Sequence, residues 1–400
     1  MLASQAIFAR RHLHSIILPL VSDYGVPLSA LDRAKVTNEV QDEVFGLGPL
    51  DPLLQDPTVG DIYVNSRDAV YVERGGTLEK TDVTFRDNTH LRQIVDRIAT
   101  AVGRRADESS PVMDARLPDG SRIKVIMPPL AMDGPILSIR RFHMTPLTAD
   151  DLLQRREYTQ PMLEVLQKAV AARLNILISG STGAGKTTLL NALCGFISNN
   201  QRVVTIEESE ELRLKQEHVV RLGCRPPDVD GKGAIRQREL VINALDIKPD
   251  RIVVGEVRGE EALDVLQAMN TGHDGTITTV HANSPRDALS RIEAMSLMAN
   301  LNLPEKAIRQ QISSAIQLIV QVARLSDGSR RVTHISEIIG SSGDMVSMQD
   351  IFLFEKRGVE PNGKVLGRFY ATGVVPKFAA KLIAAGIPLS SGLVVHSEDV

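Results

Sequence analysis

One stretch of the chain brings glycines, a lysine and threonines together in a spacing that suits phosphate binding. Residues 180–188 read Gly-Ser-Thr-Gly-Ala-Gly-Lys-Thr-Thr and fit the pattern G-x-x-x-x-G-K-[ST]. The apolar residues 174–179 before it favour a strand, and residues 187–193 after it favour a helix. Glycines let a backbone turn its N–H groups toward phosphate oxygens, and a helix N-terminus adds a positive field at the same point. This setting predicts a nucleotide-binding P-loop and disfavours the alternative of an ordinary glycine turn.

The side chains of this loop suggest how ATP and Mg²⁺ would be held. We expect Lys186 to neutralise the β- and γ-phosphates and the hydroxyl of Thr187 to ligate Mg²⁺. The other loop positions are predicted to bind the nucleotide, and they are Gly180, Ser181, Thr182, Gly183, Ala184, Gly185 and Thr188. ATP and Mg²⁺ are thus the predicted cofactors.

Carboxylates that could hold the water shell of the metal and orient an attacking water follow two predicted strands. Glu207 and Glu211 follow one of them, and Glu256 and Arg258 follow the other. Because ligands bind at the carboxyl ends of strands in open α/β sheets, we expect these groups to share one site. Glu256 is predicted to contact Mg²⁺, and Glu207 and Arg258 to contribute to cofactor binding. A solvated acidic loop is the alternative for the first group.

His281 directly follows a predicted strand that mixes threonine with apolar residues, 276–280. The end of this strand would face the nucleotide, so we expect His281 to act as a polar relay or a sensor of phosphate. The alternative is a histidine with a purely structural hydrogen bond.

Length, charge and aromatic content limit the class of protein. Four hundred residues exceed one ordinary core and predict two domains plus a small extra element. The 46 basic and 49 acidic side chains give a net charge of −3, and the chain has 9 Phe, 5 Tyr and no Trp. This balance disfavours nucleic acid as the main partner.

Cysteine content and hydropathy favour a cytoplasmic location. The two cysteines, Cys194 and Cys224, cannot by themselves form a four-cysteine zinc site or a disulfide framework. They are typical of a reducing compartment. The sequence contains no run of 18 or more apolar residues, so we expect no transmembrane segment.

The pattern of apolar residues divides the chain into three regions. Residues 1–40 are predicted to form a helical extension, residues 41–145 a small α+β domain, and residues 146–400 an α/β domain whose mainly parallel sheet is covered on both faces. Strands of the small domain are predicted at 62–64, 70–73, 121–127 and 136–142. The larger domain is predicted to alternate strands at 174–179, 202–206, 251–254 and 275–280 with helices at 186–198, 234–245 and 260–270. Further strands are predicted at 318–322, 331–339 and 350–354.

Several motifs occur in an order that resembles the type II/type IV secretion ATPase superfamily. They are the P-loop, Thr205-Ile206-Glu207 with Glu211-Leu212, Val254-Gly255-Glu256-Val257-Arg258, and Gly272-His273 with Thr279-Val280-His281-Ala282-Asn283. Other segments resemble its CpaF/TadA branch, the motors of tight-adherence (Flp) pili. These segments are Arg225-Pro226-Pro227, Gly231-Lys232-Gly233, residues 269–275 and residues 114–122.

The resemblance implies a hexameric ring whose subunits have a RecA-like P-loop motor domain and a smaller N-terminal domain, with ATP between the two. It implies that Glu211 is the general base that orients water and that Glu256 is the Walker B carboxylate near Mg²⁺. Arginines of the N-terminal domain would reach the γ-phosphate, with ordinary surface charge as the alternative. The matching candidates are Arg122, Arg140 and Arg141. Glu208 stands where many relatives have aspartate, so its role stays open.

The resemblance also implies a function. The chain would hydrolyse ATP and convert the reaction into a mechanical step that extends or retracts a pilus, or that drives a related secretion apparatus. Its partners would be inner-membrane platform proteins, and it would lie in the cytoplasm at the inner-membrane face. One alternative is a nucleic-acid translocase on the same core, which the charge balance disfavours. Another is a non-hydrolysing, nucleotide-gated scaffold, which the carboxylates at 207, 211 and 256 disfavour.

Overall fold

The computed structural model describes residues 29–75, 77–117, 119–141, 146–225, 227, 232–299, 303–342, 345–390 and 397–399. The chain divides into two compact units, residues 1–144 and 145–400. Most of the predicted N-terminal extension lies outside the described residues, as do residues 118, 226 and 231 of the branch-specific segments and residue 142 of the predicted strand 136–142. The predicted domain boundaries at 40/41 and 145/146 stay predictions.

The first unit is built on a six-stranded sheet in which every pairing is antiparallel. Its strands are β1 (Val59–Ser66), β2 (Ala69–Arg74), β3 (Thr77–Lys80), β4 (Val112–Arg116), β5 (Arg122–Ile126) and β6 (Ile136–Arg140), in the order β3-β2-β1-β6-β5-β4. Its described helices are α1 (Ala30–Phe45), a 3₁₀ turn (Gly48–Leu50), α2 (Asp51–Gln55) and α3 (Asn88–Ala101). The side chain of Asp87 caps α3 by accepting a hydrogen bond from the backbone N–H of His90 at 2.7 Å. Apolar residues one helical turn apart, Leu91, Ile94 and Ile98, bury one face of α3 in the core of this unit.

The second unit contains a ten-stranded sheet with the order β16-β15-β14-β13-β12-β7-β11-β10-β8-β9. The strands are β7 (Ile176–Gly180), β8 (Val203–Glu207), β9 (Val219–Gly223), β10 (Arg251–Val257), β11 (Ile277–His281), β12 (Leu318–Arg324), β13 (Arg330–Ser342), β14 (Met345–Val359), β15 (Val365–Ala371) and β16 (Ser397–Asp399). The six strands from β12 to β9 are parallel, and the remaining four extend the sheet by antiparallel pairing.

Helices cover this sheet and create two apolar cores. The described helices are α4 (Ala149–Gln154), α5 (Gln160–Ala171), α6 (Lys186–Cys194), α7 (Gln237–Asp246), α8 (Glu261–Asn270), α9 (Pro285–Leu297), α10 (Glu305–Ala315) and α11 (Ala379–Ala384). Alternate residues of the central strand β7 point to opposite faces, so Ile176 and Ile178 join one core and Leu177 joins the other. The predicted parallel sheet covered on both faces is therefore present. None of the helices in the described part of the chain is long and apolar enough to cross a membrane.

The structure departs from the predicted elements at several places. Helix α6 ends at Cys194 and not at 198, since Gly195, a poor helix former, follows it. Helix α7 begins at Gln237, three residues after its predicted start. The predicted strands 331–339 and 350–354 are the middle parts of the longer β13 and β14. The sequence patterns did not predict β3, β4, β9, β15, β16, α2, α4, α5, α9, α10 and α11.

Candidate active site

The P-loop leaves the carboxyl end of β7, between the parallel strands β11 and β12. Gly180 is paired with His281 on one side and with Val322 on the other. A Cβ atom at position 180 would lie 2.6 Å from the carbonyl oxygen of Val322, so the close approach of these strands requires glycine here. The loop then ends at Gly185, whose φ of +101° is in the left-handed region, and α6 starts at Lys186. Strand, glycine turn and helix N-terminus are thus arranged as an anion-binding loop requires.

Lys186 holds its ammonium group over this loop. Its Nζ atom donates a hydrogen bond to the carbonyl oxygen of Ser181 at 3.3 Å and lies 3.5 Å from Oε1 of Glu256. The lysine side chain is only 10% exposed. A positive charge that is held close to the loop backbone and shielded from water suits the neutralisation of phosphate.

Glu256 belongs to a chain of alternating charges that runs from the P-loop to the acidic loop after β8. Besides Lys186, it binds Arg258, whose Nε and Nη2 atoms lie 2.7 and 2.6 Å from its Oε2 atom. Arg258 in turn pairs with Glu208 through Nη1. Glu208, whose role the sequence left open, is therefore the far end of a chain of two cations and two carboxylates. The chain fixes Glu256 between two positive partners at the end of β10.

Glu207, the last residue of β8, is turned inward and holds the backbone of the acidic loop. Its side chain is almost fully buried, and Oε1 accepts hydrogen bonds from the backbone N–H groups of Glu211 at 2.8 Å and Leu212 at 2.9 Å. Burial raises the pKa of Glu207, while these two backbone hydrogen bonds oppose the rise. The described contacts make Glu207 a positioning group for the acidic loop, and its predicted contact with the cofactor stays a prediction.

Glu211 is the exposed residue that this arrangement positions. Its backbone is fixed through Glu207, while the residue itself is solvent-exposed and its carboxylate is open to water. This exposure is compatible with a group that orients water. The general-base role of Glu211 stays a prediction.

His281 contacts the P-loop from the neighbouring strand end. Its Nδ1 atom lies 3.3 Å from the hydroxyl oxygen of Thr182, and its backbone carbonyl accepts a hydrogen bond from Arg291 at 2.7 Å. The histidine is therefore tied to the loop and to helix α9 at once. Thr187 and Thr188, on the first turn of α6, are half-buried beside the same loop. Thr187 thus offers a hydroxyl oxygen at the start of α6, a ligand of the kind that Mg²⁺ accepts.

The chain resembles known proteins over most of its length. Residues 43–375 match the family model described as "Type II/IV secretion system protein". The chain belongs to the type II/IV secretion system ATPase family. A Mycobacterium tuberculosis protein provisionally named a conjugal transfer protein is 38% identical over 312 residues, which cover 76% of this chain and 88% of that protein. Type IV secretion system protein VirB11 of Brucella suis is 32% identical over 346 residues, which cover 79% of this chain and 94% of VirB11.

The fold of this secretion ATPase family member also resembles a solved motor structure. The pilus retraction motor PilT with bound ADP is similar with a TM-score of 0.53 at 19% identity, over 74% of this chain and 83% of that chain. At this identity the likeness concerns the fold alone. It confirms the predicted fold class, a RecA-like P-loop domain with a smaller N-terminal α+β domain.

The three arginines predicted to reach the γ-phosphate have different surroundings within the first unit. Arg122 on β5 and Arg140 on β6 are directly paired across the sheet. Arg122 forms a bidentate pair with Asp114 at 2.7 and 3.1 Å, and Nε of Arg140 lies 3.5 Å from Asp61. Two exposed guanidinium groups therefore lie side by side, each balanced by a carboxylate.

Arg141 differs because it donates to the backbone of the same unit. Its Nη1 atom binds the carbonyl oxygens of Asp56 and of Val59, the latter at 2.9 Å. These contacts give Arg141 a structural role in tying β6 to the start of β1. The assignment of Arg122, Arg140 and Arg141 to the γ-phosphate stays a prediction, and Arg141 differs from the other two because its side chain donates to backbone carbonyl oxygens.

The sequence of this secretion ATPase family member did not predict one contact to the P-loop, which is made by Arg330. Nε of Arg330, the first residue of β13, donates a hydrogen bond to the carbonyl oxygen of Gly183 at 3.1 Å. A signal exists in the sequence, since Asp327-Gly328 is a typical tight turn and arginines flank it on both sides. Nothing in the pattern itself places Arg330 next to Gly183, which lies 147 positions earlier in the chain.

Proposed function

We propose that this protein hydrolyses ATP with the help of Mg²⁺ and uses the reaction as a motor of the secretion family. The observation that carries the proposal is the position of Lys186, whose ammonium group lies between the P-loop carbonyl of Ser181 and the carboxylate of Glu256. The phosphates, the ammonium group of Lys186 and the carboxylate of Glu256 would thus lie together at the carboxyl end of the central strands. The carboxylate of Glu211 is exposed while its backbone N–H is fixed by the buried Glu207. This arrangement supports a hydrolase over a nucleotide-gated scaffold.

The residues have separate roles in this proposal. Lys186 neutralises the charge that develops on the phosphates, and the N–H groups of the loop hold their oxygens in place. The hydroxyl of Thr187 and the carboxylate of Glu256 would hold the metal. When bound, Mg²⁺ would supply positive charge that stabilises the charge developing on the phosphates. Glu211 orients the water, and His281 connects the loop residue Thr182 to the end of β11.

Substitution of Lys186 by alanine tests the proposal most directly. We expect Lys186→Ala to lower ATP turnover by at least about a hundredfold, because it removes the positive charge that stabilises the transition state. Nucleotide binding should weaken as well. Lys356→Ala is a matched control, since Lys356 is an exposed residue of β14 and should leave turnover unchanged. Near-normal turnover of Lys186→Ala would show that the active-site assignment is wrong.

We further infer that the motor works as a homohexamer on inner-membrane platform proteins and belongs to the CpaF/TadA branch that serves tight-adherence pili. The support for the branch is the set of segments around residues 114–122 and 269–275 that resemble it. Domain boundaries near residues 40 and 145 are part of the same proposal. Light scattering on the purified chain measures the mass of the oligomer. Turnover measured with and without candidate platform proteins tests the partner, and stimulation by polynucleotide instead would favour a translocase.

A further inference from the structure

The hairpin between β12 and β13 brings two arginines to the P-loop. Arg324 is the last residue of β12, Arg330 is the first residue of β13, and the two are paired across the hairpin. Arg330 donates a hydrogen bond to the carbonyl oxygen of Gly183. Its Cδ atom packs against Gly185, where a Cβ atom would lie only 3.0 Å from it. Nη1 of Arg324 lies next to Gly183, 3.8 Å from where a Cβ atom of that residue would be. We call Arg324 and Arg330 the hairpin arginines.

The turn between the hairpin arginines is held rigidly. The backbone N–H of Leu325 binds the carbonyl oxygen of Ser329 at 2.8 Å. Asp327 accepts hydrogen bonds from the N–H of Ser329 at 3.0 Å and from the N–H of Val365 on β15 at 2.9 Å. Burial works against the charge of Asp327, but these hydrogen bonds prevail and lower its pKa to about 2. The turn is therefore anchored to the next hairpin, and Arg330 is presented to the loop by a fixed support.

Two like charges directly opposite each other on a hairpin repel, which is unfavourable unless an anion compensates them. Among the charged groups that lower the pKa of Glu157, Arg330 has the largest effect. Burial of Glu157 outweighs the fields of Arg330, Arg155 and Arg331 and raises its pKa, so burial disfavours the very charge that would compensate Arg330. An anion on the loop would compensate the charge of Arg330 better than this buried carboxyl group does.

The order of the strands shows which part of a nucleotide the hairpin arginines would meet. Strands β11, β10 and β8 lie on one side of β7, and they carry His281, Glu256 and Glu207 at their ends. Strands β12 and β13 lie on the other side. If the carboxylates act on the γ-phosphate, as the proposed function states, the hairpin arginines are on the side of the α- and β-phosphates.

We propose that Arg330, supported by Arg324, binds the α,β-diphosphate of the nucleotide, the part that ATP and ADP share. This inference rests on the proposed site but concerns affinity and not the chemical step. A guanidinium group presents parallel N–H donors that match two phosphate oxygens. Arg330 is a specificity-determining residue for a diphosphate because it lies beside the loop and away from the carboxylate side.

Binding of ADP, a non-hydrolysable ATP analogue and pyrophosphate to the full chain tests this inference. We expect Arg330→Gln to raise the Kd of all three by a similar factor, about tenfold or more, since a hydrogen-bonded charge pair to phosphate is lost. In steady-state hydrolysis the loss should fall on KM and not on kcat. Arg330→Lys keeps the charge without the fork and should recover part of the affinity.

Arg357→Gln is the matched control, because Arg357 is an arginine of β14 that pairs with Glu355 and Asp399. It should bind all three ligands as the wild type does, and thermal unfolding of each variant confirms that it is folded. Loss of ADP binding with unchanged pyrophosphate binding would overturn the inference, because Arg330 would then contact the nucleoside. A fall in kcat with unchanged Kd values would also overturn it. If the wild type bound ADP in an Arg330-dependent way but did not hydrolyse ATP, the proposed function would fail and this inference would stand.

Discussion

Replacement of Glu207 tests whether a buried carboxylate holds the acidic loop in place. Its Oε1 atom is the acceptor for two backbone N–H groups, those of Glu211 and Leu212, at 2.8 and 2.9 Å. Leu212 is buried in the core around helix α6, so its N–H group cannot simply turn to water. Glu207→Ala removes both hydrogen bonds at once, whereas Glu207→Gln keeps an oxygen acceptor in nearly the same place.

The magnitude follows from these two contacts. A hydrogen bond to a charged acceptor contributes about 1.5–3 kcal/mol, so two of them set an upper limit of about 3–6 kcal/mol. The cost of burying the carboxylate offsets part of this gain, and burial is also the largest cause of the raised pKa of Glu207. We therefore expect Glu207→Ala to lower the free energy of unfolding by about 2 kcal/mol. In a unit of this size that change corresponds to a fall of about 4–8 °C in Tm.

The same residue makes a prediction about pH. The pKa of Glu207 lies above its ordinary value of 4.5 in the folded protein, mainly because of burial. The stabilising contribution of such a group is complete below its unfolded pKa and is lost as the pH rises through its folded pKa. Glu207→Gln does not titrate at this position. The Tm of the wild type should therefore fall relative to that of Glu207→Gln as the pH rises above 4.5.

Thermal unfolding from pH 4.5 to 8, together with ATP turnover at neutral pH, measures both effects. Glu207→Ala should lose turnover as well as stability because the backbone of Glu211 is no longer fixed, and Glu207→Gln should keep most of both. Glu217→Ala is a control in the same segment, since Glu217 is exposed. The reasoning is refuted if Glu207→Gln is as unstable as Glu207→Ala. It is also refuted if the Tm of the wild type rises relative to that of Glu207→Gln as the pH rises.

Three further predictions separate the proposed roles of other groups. Glu211→Gln should still bind ATP but stall before hydrolysis, while Glu256→Gln should also shift the Mg²⁺ concentration needed for turnover; wild-type turnover in both variants would remove the acidic-loop hypothesis. Arg140→Ala should lower turnover by at least about tenfold with little change in ADP affinity, because ADP lacks the γ-phosphate. Arg141→Ala should mainly lower Tm, since two backbone carbonyls lose their donor. Equal loss of ADP and ATP binding in Arg140→Ala would contradict its assignment to the γ-phosphate.

The elements around the P-loop could be predicted because buried strands require apolar residues, which stand out in the sequence. All five residues of β7 and all five of β8 are buried, and both strands read as nearly continuous apolar runs. Strand β3 could not be predicted, since every residue of Thr77–Lys80 is exposed and only its pairing with β2 defines it. The edge strand β9, Val219–Gly223, is half-exposed and shows no clear alternation.

The residue types of the site could be predicted from the sequence, but their partners could not. Glu207 and Glu208 are neighbours, yet one holds a loop backbone from inside and the other pairs with Arg258 on the surface. Arg140 and Arg141 separate in the same way, because consecutive residues point to opposite sides of an extended chain. Arg330 depends on a pairing between distant strands, which no local pattern encodes.

Glu256→Gln should affect nucleotide binding in two opposite ways, and varying the Mg²⁺ concentration should separate them. In this structure Glu256 competes with any phosphate for the ammonium group of Lys186, since the two lie 3.5 Å apart. Removing the charge of Glu256 therefore frees Lys186 for an anion, which favours nucleotide binding. The same change removes a carboxylate that would hold the water shell of the metal, which disfavours binding of the metal complex. Without Mg²⁺ only the first effect acts, and with Mg²⁺ both act. Nucleotide affinity of Glu256→Gln should therefore equal or exceed that of the wild type in chelator and fall behind it as Mg²⁺ is added, whereas a purely structural Glu256 would shift both conditions alike.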